Sequence, residues 1–351
     1  MHWKTKIIMV TSFFGLITGS LWAATPTEKE RYTEAMAHQA TAPELTVAGL
    51  QALADEGYAR AMDRLAYMTF KGIGTAQETD VAIALYLQAF AAGRTSSLVS
   101  LGKVYLTIGE HQSARDTLRE ASDAGHIKAE AVLAWAHSTG RLGPLSKPET
   151  GFDALVTLAS ADARDAQMYL LDAATKINRT PPNLVAVLDR LHALQDAGDS
   201  KAAEALARFY RMNDHPRGTL ATRAELLNTT GIRNKVRVEE GLYLARDRQP
   251  KQFWTASEQL VESAAPDVYA RGLFVAARIN KNAYVRIVQK ELAALGYAVG
   301  PASPYMNRPL IRSLNQFCRD HDIYESCRRG PLKSSAIKAV AVKLAEVRQP
   351  I

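Results

Sequence analysis

Two cysteines are the residues of this chain whose type and spacing most directly predict chemistry. Cys318 and Cys327 are its only cysteines, and they stand nine positions apart. In an oxidising compartment a disulfide is the simplest use of such a pair, and closing so short a loop stabilises a fold by roughly 2–3 kcal/mol. The alternative is a metal site of Cys318, His321, Asp322 and Cys327. That set lacks the second Cys-x-x-Cys or His-x-x-x-His half of a zinc-binding pattern.

The rest of the sequence carries no recognisable catalytic or cofactor-binding motif. It contains no His-Glu-x-x-His, no Gly-x-Ser-x-Gly and no glycine-rich phosphate loop. Trp135 and Trp254 are expected to pack on helix faces, although an exposed tryptophan can stack on a sugar ring. We therefore expect no cofactor and no catalytic residue. An enzymatic role would need an unrecognised site within residues 199–280.

The elements that would position functional residues are predicted by a pattern that recurs between residues 50 and 140. Its units end in Gly57, Gly93 and Gly125, which lie 36 and 32 residues apart. Between them, leucine, alanine and tyrosine follow the three-to-four spacing of one helix face. Glycine at each end accepts the left-handed backbone that closes a helix. A period in the thirties with small residues at fixed places is typical of stacked helix–turn–helix units.

The best-matched stretch, Ala61 to Gly93 with Asp80, resembles the Sel1-like repeat, a relative of the tetratricopeptide repeat. The next stretch, Ser97 to Gly125, resembles it in shortened form. The resemblance implies an all-α solenoid of helical hairpins over residues 50–280. It also implies that envelope proteins bind to this solenoid, through polar positions on the first helix of each pair. An ordinary alanine-rich helical bundle is the alternative.

Residues 281–351 differ from the repeats and resemble the small three-helix peptidoglycan-binding domain of cell-wall enzymes. The matching residues are Ile287-Val288-Gln289, Leu292, Leu295-Gly296-Tyr297, Gly300, Tyr305, Ile311, Leu314 and Phe317. The residues that depart from the family pattern are Ser303-Pro304, Asn307 and Cys318. The resemblance implies a three-helix domain that follows the solenoid. Its candidate glycan-binding residues are Gln289, Tyr297, Tyr305, Arg308 and Arg312.

The beginning of the chain is predicted to be a secretory signal peptide, residues 1–23. Two lysines precede an apolar run from Ile7 to Leu21, and small residues follow at a cleavage site. Cleavage would leave no stable membrane span, so we expect a periplasmic protein that meets no nucleic acid. An uncleaved anchor is the alternative. Residues 24–49 are predicted to be a polar lead-in with a capping helix at Thr33–Ala42.

Charge is unevenly distributed along the sequence. Residues 281–351 carry 12 Lys or Arg against 5 Asp or Glu, a net charge of +7, whereas residues 24–280 carry a net charge of −2. A basic terminal region beside near-neutral repeats suits an anionic partner, such as peptidoglycan or an acidic polysaccharide. A solvated basic surface without a ligand is the alternative.

These features predict a non-catalytic periplasmic scaffold that binds envelope proteins and docks on peptidoglycan or another anionic glycan. The stretch Leu50–Ala61 also resembles the opening repeat of the alginate-secretion scaffold, which implies a role in exopolysaccharide assembly and export. One alternative is an envelope enzyme, or the regulatory subunit of one, that acts on cell-wall glycan. Another is a secreted effector of the Sel1 type.

Overall fold

The computed structural model describes residues 27–39, 41–248 and 252–348. The predicted signal peptide lies outside this part of the chain. Every regular element that the described residues form is a helix, so the all-α prediction is confirmed. None of the helices within these ranges is both long enough and apolar enough to cross a membrane.

The chain divides into two compact units, one ending at Leu101 and the other beginning at Gly102. The helices of the first unit are α1 (Glu28–Ala37), α2 (Pro43–Asp55), α3 (Ala59–Lys71), α4 (Thr79–Ala91) and the start of α5 (Ser97–Ile108). The second unit continues with α6 (His111–Asp123), α7 (Ile127–Ser138), α8 (Pro148–Ser160), α9 (Arg164–Ile177), α10 (Leu184–Asp196), α11 (Ser200–Met212) and α12 (Leu220–Asn228). It ends with α13 (Asn234–Arg248), α14 (Phe253–Glu262), α15 (Pro266–Ile279), α16 (Lys281–Ala294), α17 (Arg308–Asp320), α18 (Tyr324–Cys327) and α19 (Ser334–Val347).

The first helices differ from the single capping helix predicted at Thr33–Ala42. The Thr27 hydroxyl accepts a hydrogen bond from the Glu30 N–H at 3.3 Å, and the Glu30 carboxylate accepts one from the Thr27 N–H at 2.8 Å. This capping box starts α1 at Glu28. Pro43, whose ring suits a first helical turn but not a helix interior, opens α2 as a separate helix. Helix α1 therefore begins and ends five residues earlier than predicted, and α2 begins just after the predicted range.

Left-handed glycines close the predicted repeat units. Gly125 has a φ of +84°, and its N–H donates to the Ser122 carbonyl at 2.8 Å. The next N–H, that of His126, donates to the Ala121 carbonyl at 3.0 Å. Glycine adopts this helix ending without the clash that a Cβ would cause. The same two bonds and a positive φ recur at Gly57, Gly93 and Gly198, so the predicted glycine endings are confirmed.

Alternate helices of the second unit lie side by side. Helix α7 packs on α9, α9 on α11, α11 on α13 and α13 on α15, and each also packs on the helix that follows it. Small residues allow this close approach: a Cβ on Gly151 of α8 would stand only 2.6 Å from the Ala134 carbonyl oxygen of α7. This is the stacking of helical hairpins that the repeat pattern predicts. We call α7, α9, α11, α13 and α15 the first-helix row.

One hydrophobic core extends from α13 to α19. Its fully buried side chains include Tyr269 of α15, Tyr284 of α16 and Phe317 of α17. The Tyr269 hydroxyl donates to the Glu291 carboxylate of α16 at 3.1 Å, and the guanidinium of Arg348, just after α19, lies 4.1 Å from the Tyr269 ring centroid. Helix α15 therefore packs as closely on the terminal helices as on its repeat neighbours. A domain boundary between residues 280 and 281 stays a prediction.

Candidate functional site

The two cysteines form a disulfide between the end of α17 and the end of α18. Their Cα atoms are 6.5 Å apart, and both side chains are buried. Because both sulfur atoms are in this bond, the alternative metal site of Cys318, His321, Asp322 and Cys327 is not formed. No group of three or more metal-ligating side chains occurs within the described ranges. The His321 ring instead lies 4.5 Å from the Phe317 ring, centroid to centroid.

The five candidate glycan-binding residues have different environments. Gln289 is buried, and its amide donates to the Pro301 carbonyl at 2.7 Å and accepts from the Ser303 N–H at 2.8 Å. It therefore holds the loop after α16. The Tyr297 hydroxyl donates to Asp320 at 2.9 Å, and burial together with this bond raises the pKa of Tyr297 to about 12.

The other three candidates are exposed and lie close together in sequence. Tyr305 is 64% exposed in the loop before α17. Arg308 and Arg312 are exposed one turn apart on that helix. Of the five candidates, these three are the ones that offer a ligand an open surface.

A larger candidate site is a groove in the second unit, with a volume of about 990 Å³. It is lined by residues of the first-helix row, by Lys103 of α5, and by Arg141, Gly231 and Arg233 of the segments next to α7 and α13. The lining contains ten Lys or Arg and five Asp or Glu, a net charge of +5. We call this site the basic groove. Its basic side chains are Lys103, Lys128, Arg141, Lys176, Lys201, Arg208, Arg211, Arg233, Lys235 and Arg271.

The charges of the basic groove are arranged in two layers. Each acidic side chain is more buried than the cation paired with it: the Glu204 side chain is 8% exposed and that of Arg233 is 72% exposed. Asp172 is 18% exposed, and its partner Arg208 is 55% exposed. The same order holds for the pairs Lys128–Asp165, Arg271–Glu239 and Arg211–Glu240. The acids therefore form a floor that holds their paired cations in place, and each of these cations except Arg211 faces the solvent.

Asp172 of α9 joins three helices on this floor. Its carboxylate accepts the Trp135 indole N–H of α7 at 2.7 Å and lies 2.5 Å from the Lys176 ammonium. The Arg208 guanidinium of α11 is 3.3 Å away. Lys176 and Arg141 also lie over the Trp135 ring, 4.7 and 4.9 Å from its centroid. Trp135 is half-buried, and cations rather than open solvent cover it.

Burial also shifts the pKa values of two groups at one end of the basic groove. The ammonium of Lys103 lies 5.6 Å from the centroid of the Tyr169 ring. Burial lowers the pKa of Lys103, and Asp165 partly opposes this effect. Burial raises the pKa of Tyr169 to about 12. The phenol therefore stays neutral at physiological pH and contributes no negative charge to the groove.

The charge of the basic groove could not be read from the sequence total. Residues 24–280 sum to −2, yet the groove that they line carries +5. One signal was present: Lys128, Lys201 and Lys235 each occupy the second position of a helix in the first-helix row. Without knowledge of which helices lie side by side, these lysines cannot be distinguished from ordinary surface lysines.

Comparison with known proteins identifies no family for this chain. No family model matches the sequence, and no curated protein matches it. Among solved structures, the chain is similar to a protective antigen present in uropathogenic Escherichia coli strains, which is described as displaying an SLR fold. The two chains are 14% identical, the match covers 92% of this chain and 75% of that one, and the TM-score is 0.36. Values this low assign neither a family nor an activity.

Proposed function

We propose that this protein is an exported, non-catalytic scaffold that binds a segment of a partner protein in its basic groove. The observation that carries the proposal is the layering of charge, in which each acid is less exposed than the cation paired with it. Cations held in place lose little conformational freedom on binding, so more of their attraction for an anionic ligand is retained. A groove lined by one sign of charge also speeds the encounter with such a ligand.

Site-specific photo-crosslinking tests this proposal. A photoreactive amino acid is placed at Lys201, which lines the basic groove, and separately at Arg237, which is exposed on α13 outside the lining. In cells that produce the full chain, we expect a discrete crosslinked partner from position 201 and none from position 237. The crosslink should weaken as ionic strength rises, because salt screens exposed charges.

Two results would contradict the proposal. Equal crosslinking from positions 201 and 237 would mean that the basic groove does not select the partner. Recovery of the full chain only from the cytoplasmic fraction would contradict export and the periplasmic location.

We also propose that α16 to α19 dock the scaffold on peptidoglycan or another anionic glycan. Exposed Tyr305, Arg308 and Arg312 support this part of the proposal, as does the net charge of +7 over residues 281–351. With purified cell-wall sacculi, we expect the full chain to sediment at low salt. The variant R308E/R312E should stay in the supernatant, whereas R119E/R237E, which has the same net charge, should sediment. Sedimentation of both variants alike would reject this docking surface.

A further inference from the structure

Lys103 has different surroundings from the exposed lysines of the basic groove. It is half-buried, whereas Lys235 is exposed, and its ammonium lies over the Tyr169 ring, 5.6 Å from the centroid. Within the described ranges, no carboxylate lies at ion-pair distance from this ammonium. Asp165 acts on Lys103 from farther away, and its carboxylate pairs with Lys128 at 3.5 Å. The Lys103 ammonium is therefore a cation without a counterion.

The hydroxyl of Tyr169 is a second polar group without a partner at this end of the basic groove. Tyr169 lines the groove and is half-buried, and no hydrogen bond to its hydroxyl occurs in the part of the chain that the structure describes. The phenol is neutral at physiological pH, so it has a proton to donate. Lys103 and Tyr169 thus bring two donors to one end of the groove, and neither has an acceptor.

Burial makes the Lys103 ammonium costly to keep charged. It lowers the pKa of Lys103, because the protein stabilises the charged form less well than water does. An anionic group that entered this end of the basic groove would offset that cost. Its attraction to a half-buried ammonium is also stronger than to an exposed one, because the local dielectric constant is lower. We therefore expect an anionic group to gain more from Lys103 than from Lys235.

We infer that Lys103 and Tyr169 together bind one carboxylate of the partner segment and anchor the segment at this end of the basic groove, a step that rests on the proposed function. A carboxylate has two oxygens, so one can accept from the ammonium and the other from the hydroxyl. The carboxylate is supplied by an Asp or Glu side chain or by the C-terminus of the partner. A phosphate, which carries up to two negative charges, would be repelled more strongly by nearby Asp165.

The aromatic rings at this end favour a peptide carboxylate over that of a glycan. Arg141 and Lys176 lie over the Trp135 ring, and Lys103 lies over the Tyr169 ring. These faces are covered by cations, so they offer a sugar ring little surface for stacking. A ligand here is recognised through its charge and its hydrogen-bond acceptors.

Removing one charge at a time tests the anchor. The variant K103M loses the ammonium and keeps an unbranched side chain over the Tyr169 ring, and K235M makes the same change at an exposed groove lysine. In fluorescence anisotropy with the full chain, we expect K103M to bind a short, C-terminally amidated polyglutamate peptide at least about tenfold more weakly than wild type. The loss in K235M should be about threefold. K338M, which alters an exposed lysine outside the lining, should stay within about twofold of wild type.

A second probe distinguishes the two sources of the carboxylate. It is a peptide of glycine, serine and glutamine with a free C-terminus. Loss of amidated polyglutamate binding in K103M would assign the anchor to a side-chain carboxylate, and binding of the neutral peptide that depends on Lys103 would assign it to a chain terminus. In either case Y169F should weaken binding of that probe in the wild-type background and have little effect in K103M, because both donors hold the same carboxylate.

Chemical labelling of the wild-type chain checks the anchor without relying on how a variant folds. Acetic anhydride reacts with unprotonated amines. Saturating polyglutamate should slow the acetylation of Lys103 at least about fivefold, because a bound carboxylate keeps the amine protonated. The acetylation of Lys338 should not change.

The contrary outcomes are distinct. Equal losses in K103M and K235M with both probes, or no protection of Lys103 from acetylation, would overturn the anchor. Tighter Lys103-dependent binding of inorganic phosphate or of a uronic acid oligosaccharide would overturn the peptide carboxylate. If any of these results came with a crosslinked partner at position 201, this inference would fail and the proposed function would stand. If peptide binding depended on Lys103 and no partner crosslinked, the proposed function would fail and the carboxylate site would stand.

Discussion

The variant R141E/K201E/K235E is expected to bind a short polyglutamate peptide about 100-fold more weakly than the wild-type chain does, a loss of about 2.7 kcal/mol in binding free energy. No ion pair is found for these three exposed cations within the described ranges, so reversing them leaves no buried acid without its partner. The reversals change the lining from +5 to −1. Attraction along the groove therefore becomes weak repulsion. Fluorescence anisotropy at low ionic strength measures the change.

The control for this prediction is R119E/R237E/K338E. It makes the same change in net charge at exposed residues that lie outside the groove lining. We expect this variant to bind the peptide within about threefold of the wild-type affinity, because its altered charges are separated from the groove by screening solvent. Equal losses in the two variants would show that net charge, and not the basic groove, governs binding.

Replacing Arg211 with methionine is expected to lower the free energy of unfolding by about 3–4 kcal/mol at pH 7. Arg211 donates to the Glu240 carboxylate at 2.7 Å, and the two side chains are only 13% and 7% exposed. Burial raises the pKa of Glu240, Glu239 adds to this effect, and Arg211 and Arg223 oppose it. Without Arg211, the buried carboxyl must be protonated in the folded state. At pH 7, protonating a carboxyl whose unfolded pKa is about 4.3 costs nearly 4 kcal/mol.

The loss of unfolding free energy in the Arg211→Met variant should be smaller at pH 5 than at pH 7. A glutamate whose folded pKa is raised binds more protons in the folded state than in the unfolded state. Its contribution to stability is fully present below the unfolded pKa and is lost as pH rises. We therefore expect the free energy of unfolding of the variant to lie only about 1 kcal/mol below that of the wild type at pH 5.

The double variant R211M/E240Q is the control for this prediction. It has no buried carboxyl at this position, so it should recover most of the stability at pH 7 and lose the pH dependence. Urea unfolding at the two pH values measures both effects. A loss in Arg211→Met of the same size at pH 5 and pH 7 would show that lost packing, rather than the charge of Glu240, sets the cost.

The terminal helices show how far reasoning from residue patterns reaches. The spacing of apolar residues predicts a helix from about Ser334 to Val347, and α19 has those limits. The resemblance to the peptidoglycan-binding domain instead grouped Gln289 with the glycan-binding candidates, although its amide is buried in bonds to the loop after α16. Apolar periodicity is a property of a short stretch, whereas the bonds of one amide depend on how the following loop folds back.

The sequence by itself determined the class of this protein: helices of ordinary length, their glycine endings and a cysteine pair close enough to bond. Each of these follows from local rules, namely the 3.6-residue period, the freedom of glycine at positive φ and the reach of a short loop. Only the tertiary structure decided where the charge lies. The cations of the basic groove are spread over residues 103–271, and they meet because alternate helices stack side by side. That stacking depends on contacts between residues far apart in the chain, and no local pattern encodes it.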